Sequence, residues 1–290
     1  MWDRKIIKAW AKQDLAGIRY GTALLVTWLT GVIGGLIPFL FQYAFQIQYA
    51  NRYYVYLEFP NTWEEFIPNG VHSLFTGEEN CWALYWFFGI LAIVNLFFVK
   101  NIFRIGQTTF YLQLQQGQGR CRDGFAGLAS GYGRRISAMA TTVLTIMLWG
   151  LLFVVPGIIK ALEYSMVPWL LAENPTMTGQ EARAISRRMT RGEKGAIFVL
   201  YLSFLGWFLL ANLAAQLPMS LINVLLFART GFYWGASMGG NLAIGLLSAL
   251  TVSLVLPYVQ ATNARLYRFL RDRDGMYQSA AVYGGSVNLL

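Results

Sequence analysis

Lys160 and Glu163 are the only two charges that lie deep in an apolar stretch of this chain, and at a spacing of three residues they can meet on one face of a helix. An ionisable pair inside a membrane is where ion or proton movement is commonly built. The competing reading is a neutralised pair close to an interface, with the Lys160 ammonium reaching out toward headgroups. Tyr164, beside the pair, and Asn95, in another apolar run, could extend the same polar site. Arg183, Arg187, Arg188 and Arg191 form a second set, grouped on one short segment in a way that suits anionic headgroups or a protein partner at the cytoplasmic face. Nothing comparable marks an enzyme. The single histidine, His72, has no Cys or His at ligand spacing, and neither a phosphate-binding glycine loop nor an HExxH pair occurs. We assign no catalytic residue, no metal site and no cofactor.

The elements that must position these residues are membrane helices. Of 290 residues 56% are hydrophobic and 13% charged, and several apolar runs reach the ~18 residues that cross a bilayer. The net charge of +9 does not point to nucleic acid, because the basic residues cluster beside apolar runs, where they act as topology signals and lipid contacts. Spanning segments must satisfy their backbone internally, so the expected fold is all-α, a polytopic bundle.

The stretch Leu148 to Pro175, LWGLLFVVPGIIKALEYSMVPWLLAENP, decides the topology. One straight helix from Ala138 to Ala172 would be ~50 Å long, far more than the ~30 Å core requires. Pro156 removes a backbone donor and Gly157 tolerates a tight reversal, so the spacing predicts a hairpin of helices over 137–155 and 157–172. The rival is one span ending near Ile159 followed by a helix on the far surface. With six spans and an internal amino terminus, the basic groups at 4–19, 100–135, 183–194 and 265–273 all fall inside, leaving only Arg52, Lys160 and Arg229 of 23. Five spans would put two of those clusters outside.

The sequence therefore predicts one membrane domain over 1–270, with spans at about 18–44, 82–99, 137–155, 157–172, 196–217 and 239–258 and both termini cytoplasmic. Residues 46–80, which carry Glu64, Glu65, Glu78 and Glu79, form an external loop. Residues 2–16 form a basic interfacial helix with Trp2, Ile6 and Trp10 at a helical repeat. Gly31 and Gly35 make a close-packing pair within the first span. A capping box at Thr178 and Glu181 opens a cytoplasmic amphipathic helix over 176–192, and residues 271–290 form a flexible tail. No cleavable signal peptide is expected, and Cys81 and Cys121 should face opposite sides, without a disulfide.

The blocks W-x-L-L with P-G-I, Y-S-M-x-P ending in A-E-N-P, S-x-x-M-x-x-G, S-F-x-G-W and a late P-Y cover about Leu148 to Leu270, and GFAGLASGYGRR precedes them. In combination they resemble the bacterial integral-membrane family called domain of unknown function 975. That resemblance implies a multi-pass protein of the bacterial cell (inner) membrane with no established activity. The chain is also similar to the helical membrane region attached to some glycerophosphodiester phosphodiesterases, but without their soluble catalytic domain, so that activity is not carried over. Three functions are open at this point. One is a non-enzymatic protein that binds lipid or an amphiphile, or assists a transport or envelope process. The others are a small transporter or channel using Lys160 and Glu163, and an intramembrane lipid-modifying enzyme.

Overall fold

The computed structural model describes residues 2–16, 19–31, 33, 86–87, 89–128, 132–230 and 238–282, without the side chains of 230, 238–242 and 276–282. Among the described residues there are helices and turns and no strand. Two units are distinguished, Gly31–Asn101 and the remainder, Met1–Thr30 with Ile102–Leu290. Five helical stretches are long and apolar enough to cross a membrane: Gly89–Leu114, Tyr132–Leu152, Val154–Glu173, Lys194–Arg229 and Ala243–Gly275. The protein is thus a helical membrane protein. Of the first expected span, 18–44, only 19–31 and residue 33 are described, while the external loop 46–80, His72, Cys81 and Gly35 lie outside the described residues.

Helix α1 is Arg4–Asp14, started by the Asp3 carboxylate, which accepts from the Lys5 backbone N–H. Its buried stripe is Ile7, Ala11 and Asp14, one residue along from the expected repeat, so that Ile6 and Trp10 stay exposed on its flank. Helix α2 covers 19–31. A π-helical turn, Asn95–Val99, leads into α3, Lys100–Leu114, so the helix of the second expected span runs on well past residue 99.

The hairpin is present, with its break elsewhere. Helix α4 is Tyr132–Leu152 and α5 is Val154–Glu163, separated by the single extended residue Phe153 at φ −154° and ψ 141°. Pro156 therefore lies in the first turn of α5 instead of ending α4. The physical reason is that the first turn's N–H groups have no intrahelical acceptor, so proline's missing donor costs nothing there. Gly157 serves the reversal by proximity: a Cβ on it would lie 2.6 Å from the Gly150 Cα of the other arm.

After a turn at Tyr164–Met166, α6 is Val167–Glu173, whose Trp169 stacks on Tyr267 at 6.0 Å between ring centres. Helix α7 is Gly179–Met189. The Thr178 hydroxyl accepts from the Glu181 N–H at 3.3 Å, and the Glu181 carboxylate accepts from the Thr178 N–H at 3.0 Å, completing the capping box. The Thr178 backbone N–H, and then its side chain, hold the Glu181 carboxyl below its usual range. Thr178→Ala is expected to cost about 1 kcal/mol, read as a lower melting temperature in detergent and faster amide exchange in the first turn of α7. Because the folded state prefers ionised Glu181, its contribution is complete at neutral pH and is lost as pH falls through and below the ordinary glutamate range.

Helices α8, Lys194–Thr230, and α9, Met238–Val282, run through Pro218 and Pro257 without ending. This extends the expected spans 196–217 and 239–258, since an internal proline is tolerated where the surrounding chain compensates for the freed carbonyl. Of the expected tail, residues 271–282 are helical, with ion pairs from Arg271 and Arg273, and 283–290 lie outside the described residues.

Candidate functional site

Glu163 closes α5 with its side chain only 8% exposed and three cations around it. Lys160 Nζ donates to Oε2 at 2.7 Å and Lys194 Nζ to Oε1 at 2.6 Å, while Arg187 Nε stands 3.8 Å from Oε2. The i,i+3 pair read from the sequence thus forms, and it is half of a larger cluster. Tyr164 belongs to it: its hydroxyl accepts from Arg187 Nη2 at 3.0 Å, and both Lys160 and Arg187 lie 5.9 Å from its ring centre. Lys160 also stands 5.5 Å from the Trp149 ring, where the π face favours its charge. The Glu163 backbone is fixed as well, its carbonyl accepting from Ser186 Oγ at 2.6 Å, and that oxygen accepting in turn from the Met166 N–H.

Asn95 lies in the other unit, buried in the π-helical turn, with no hydrogen-bond partner for its side chain among the described residues. The cluster around Glu163 is built entirely within the unit of Met1–Thr30 and Ile102–Leu290.

The arginines of α7 are distributed among neighbours. Arg183 Nη1 donates to Thr141 Oγ1 at 2.8 Å on α4, and Arg187 is shared between Tyr164 and Glu163. Arg188 grips Asp274 through Nε at 2.9 Å and Nη2 at 2.7 Å. Arg191 is exposed, and its side chain makes no ion pair among the described residues. These bonds use one edge of each group, since Arg187 and Arg188 remain 56% and 50% exposed.

Three further acids complete a charged layer that sequence reasoning did not pick out. Asp14 of α1 holds Arg265, whose Nε donates at 2.6 Å. Glu173 accepts from the Tyr267 hydroxyl at 2.5 Å and pairs with Arg271. Glu193 accepts from Trp2 Nε1 at 3.0 Å and from Arg273 Nη1 at 2.5 Å. Arg268 Nη2 donates to the Leu112 carbonyl at the end of α3 at 2.9 Å. The ends of α1, α3, α5, α6 and α9, all of α7 and the start of α8 therefore meet in one polar layer. The available signal was scarcity: with only 14 acids in the chain, a lone Asp or Glu beside an apolar run stands out.

Away from that layer the surface is apolar. Leu205, Leu209, Leu213, Leu217 and Leu221 form an exposed stripe along α8 at the i,i+4 spacing. A groove of about 390 Å³ between α2 and α9 is lined by Leu24, Leu25, Trp28, Leu250 and Leu254. No group of three or more His, Cys, Asp or Glu positioned to hold a metal ion occurs among the described residues, and Cys121 is an exposed free thiol.

The hairpin, α7, the Glu163 cluster and the arginines of α9 all fall within residues 127–274, which match the family model described as a protein of unknown function, DUF975. This chain belongs to the DUF975 family. The DUF975 match covers just over half of the chain and leaves out Trp2, Asp14 of α1 and Asn95. No curated protein and no solved structure matches the chain. The similarity to the membrane region of glycerophosphodiester phosphodiesterases finds no support in these comparisons.

Proposed function

We propose that this DUF975 protein is a non-catalytic, multi-pass protein of the bacterial inner membrane that binds anionic lipid at the cytoplasmic face. The observation that carries the reading is the charge imbalance around Glu163, where one carboxylate faces Lys160, Lys194 and Arg187. Two positive charges are left over there, and exposed Arg191 adds a third. Held at a headgroup level, such a surface attracts phosphate at roughly 1 kcal/mol per basic residue.

Six membrane segments with both termini cytoplasmic fit this reading. Its support is that the basic clusters of α7 and α9 and the amino-terminal α1 share one polar layer, joined by Arg188–Asp274, Arg265–Asp14 and Trp2–Glu193. The groove between α2 and α9 offers apolar surface of the kind an acyl chain covers.

The test is mass spectrometry of lipids retained when the full chain is extracted into native lipid particles. Enrichment of anionic over zwitterionic lipid is expected, falling several-fold when Arg183, Arg187, Arg188 and Arg191 are all changed to Gln and weakening as salt rises. Bulk composition in both proteins would count against the proposal, and a stoichiometric ATPase or other protein in the particles would make the chain an accessory subunit instead.

A further inference from the structure

The α4–α5 hairpin is too short, measured from the polar layer, to cross a bilayer. Helix α7 fixes the position of both arms. On α4, Arg183 reaches the Thr141 hydroxyl, and a Cβ on Gly179 would lie 2.8 Å from the Ala138 Cα. On α5, Glu163 is held by Lys194 at the start of α8 and stands beside Arg187 of α7. From Thr142 to Phe153 and from Phe153 to Glu163 are ten or eleven residues each, or about 15 Å at the helical rise. The hydrocarbon core is ~30 Å thick, so this is one leaflet.

The chemistry of the protruding part agrees. Between 143 and 162 the only hydroxyl and the only charge are Thr145, which bonds its own helix at the Thr141 carbonyl, and Lys160, whose ammonium turns back to Glu163. At the tip, Leu151, Leu152, Phe153, Val154 and Val155 are between 66% and 86% exposed, with no polar side chain among them. A tip that reached the far headgroups would present these five side chains to water. It would also draw Arg183, Arg187 and Lys194 down to the centre of the bilayer, where charge is least tolerated.

We propose that the hairpin is a re-entrant wedge that enters and leaves through the face carrying α7, and that its partner is the acyl chains of that one leaflet, down to the midplane. Charge bookkeeping is blind to this, because a hairpin returns to its starting side whether it crosses twice or not at all. Of the six membrane segments, the third and fourth then dip without crossing. Which leaflet receives the wedge rests on the cytoplasmic placement proposed above; the wedge itself rests on the hairpin's length and tip.

The experiment uses the full chain with Cys81 and Cys121 changed to Ser and a single new cysteine, Phe153→Cys or Leu151→Cys at the tip, or Gln180→Cys on the exposed side of α7 as reference. Each is tested with a membrane-impermeant maleimide from either face and, carrying a fluorophore, with lipids spin-labelled near the top or the end of the acyl chain. The expected result is tip cysteines unreactive from both faces and quenched several-fold more by the deep label than by the shallow one, with Gln180→Cys reactive from the cytoplasmic face. Tip reactivity from the face opposite Gln180→Cys, or stronger quenching by the shallow label, overturns the proposal, as does tip reactivity from the same face. A reference cysteine reactive only from the outer face would overturn the cytoplasmic placement and leave the wedge in the other leaflet. One reactive from neither face would remove α7 from the headgroups and the wedge with it.

Discussion

Glu163→Ala is expected to destabilise the protein by about 3 kcal/mol, because it removes the only carboxylate from among three cations. The figure sits at the low end for a broken buried pair because water relieves part of the cost: the Arg187, Lys194 and Lys160 side chains are 56%, 36% and 21% exposed. Removing a cation should matter much less. Lys160→Met leaves Glu163 paired with Lys194, and a loss of about 1 kcal/mol or less is expected, as for a single partly exposed pair. Combining Lys160→Met with Glu163→Gln should cost less than the sum of the separate changes, since the lysine is no longer stranded when the acid goes. Equilibrium unfolding in mixed micelles measures all three. A Glu163→Ala protein as stable as the parent would mean that the cluster does not hold the fold, and would return Lys160 and Glu163 to the transporter reading, which reconstituted flux would then have to test.

The local features of this fold were legible in the sequence, and the distant ones were not. The capping box at Thr178 and Glu181, the Lys160–Glu163 spacing and the reversal near Pro156 each depend on residues within a turn or two of one another, so side-chain type and spacing determine them. The hairpin's break falls at Phe153 rather than at the Pro156–Gly157 pair because proline is a barrier only after a helix has begun to need its N–H. Helices α8 and α9 continue through Pro218 and Pro257 beyond the limits of 217 and 258 expected for those spans. Lys194, Asp14, Glu173 and Glu193 escaped notice since their partners lie 31 to 251 residues away, or, for Trp2 and Glu193, 191 residues. No period in the chain encodes such pairings. Charge counting assigns a side to each basic cluster and has nothing to say about how deep an apolar hairpin goes.

Gly106→Ala is the second large effect, and its sign is what makes it informative. In the interior of an unobstructed helix, alanine replaces glycine with a gain of roughly 0.5–1 kcal/mol, because glycine loses more backbone freedom on folding. Gly206 in α8 is such a position, with nothing within 4 Å of an added Cβ, so Gly206→Ala should stabilise. At Gly106 the added Cβ would fall on the carbonyl oxygen of Gly124, and one on Gly127 would fall on the carbonyl oxygen of Ile102. The 3-10 segment Cys121–Leu128 lies against α3 along this glycine seam, with Phe103 and Phe125 packed edge to face at 6.0 Å beside it. A backbone oxygen cannot rotate aside as a side chain can, so the segment must lift away from α3, and the cost should lie near the upper end of the ~1–3 kcal/mol typical of overpacking. The strain would not stay local. Arg135 Nη1 donates to the Ala126 carbonyl at 3.1 Å, so the same segment helps seat the first turn of α4, from which the hairpin rises; Arg134 is held separately, by the Thr176 carbonyl at 3.0 Å. Melting curves of the two alanine variants in one detergent should therefore move in opposite directions. If Gly106→Ala moved with Gly206→Ala, the seam would be loose and α4 would rest on the Arg134–Thr176 contact instead.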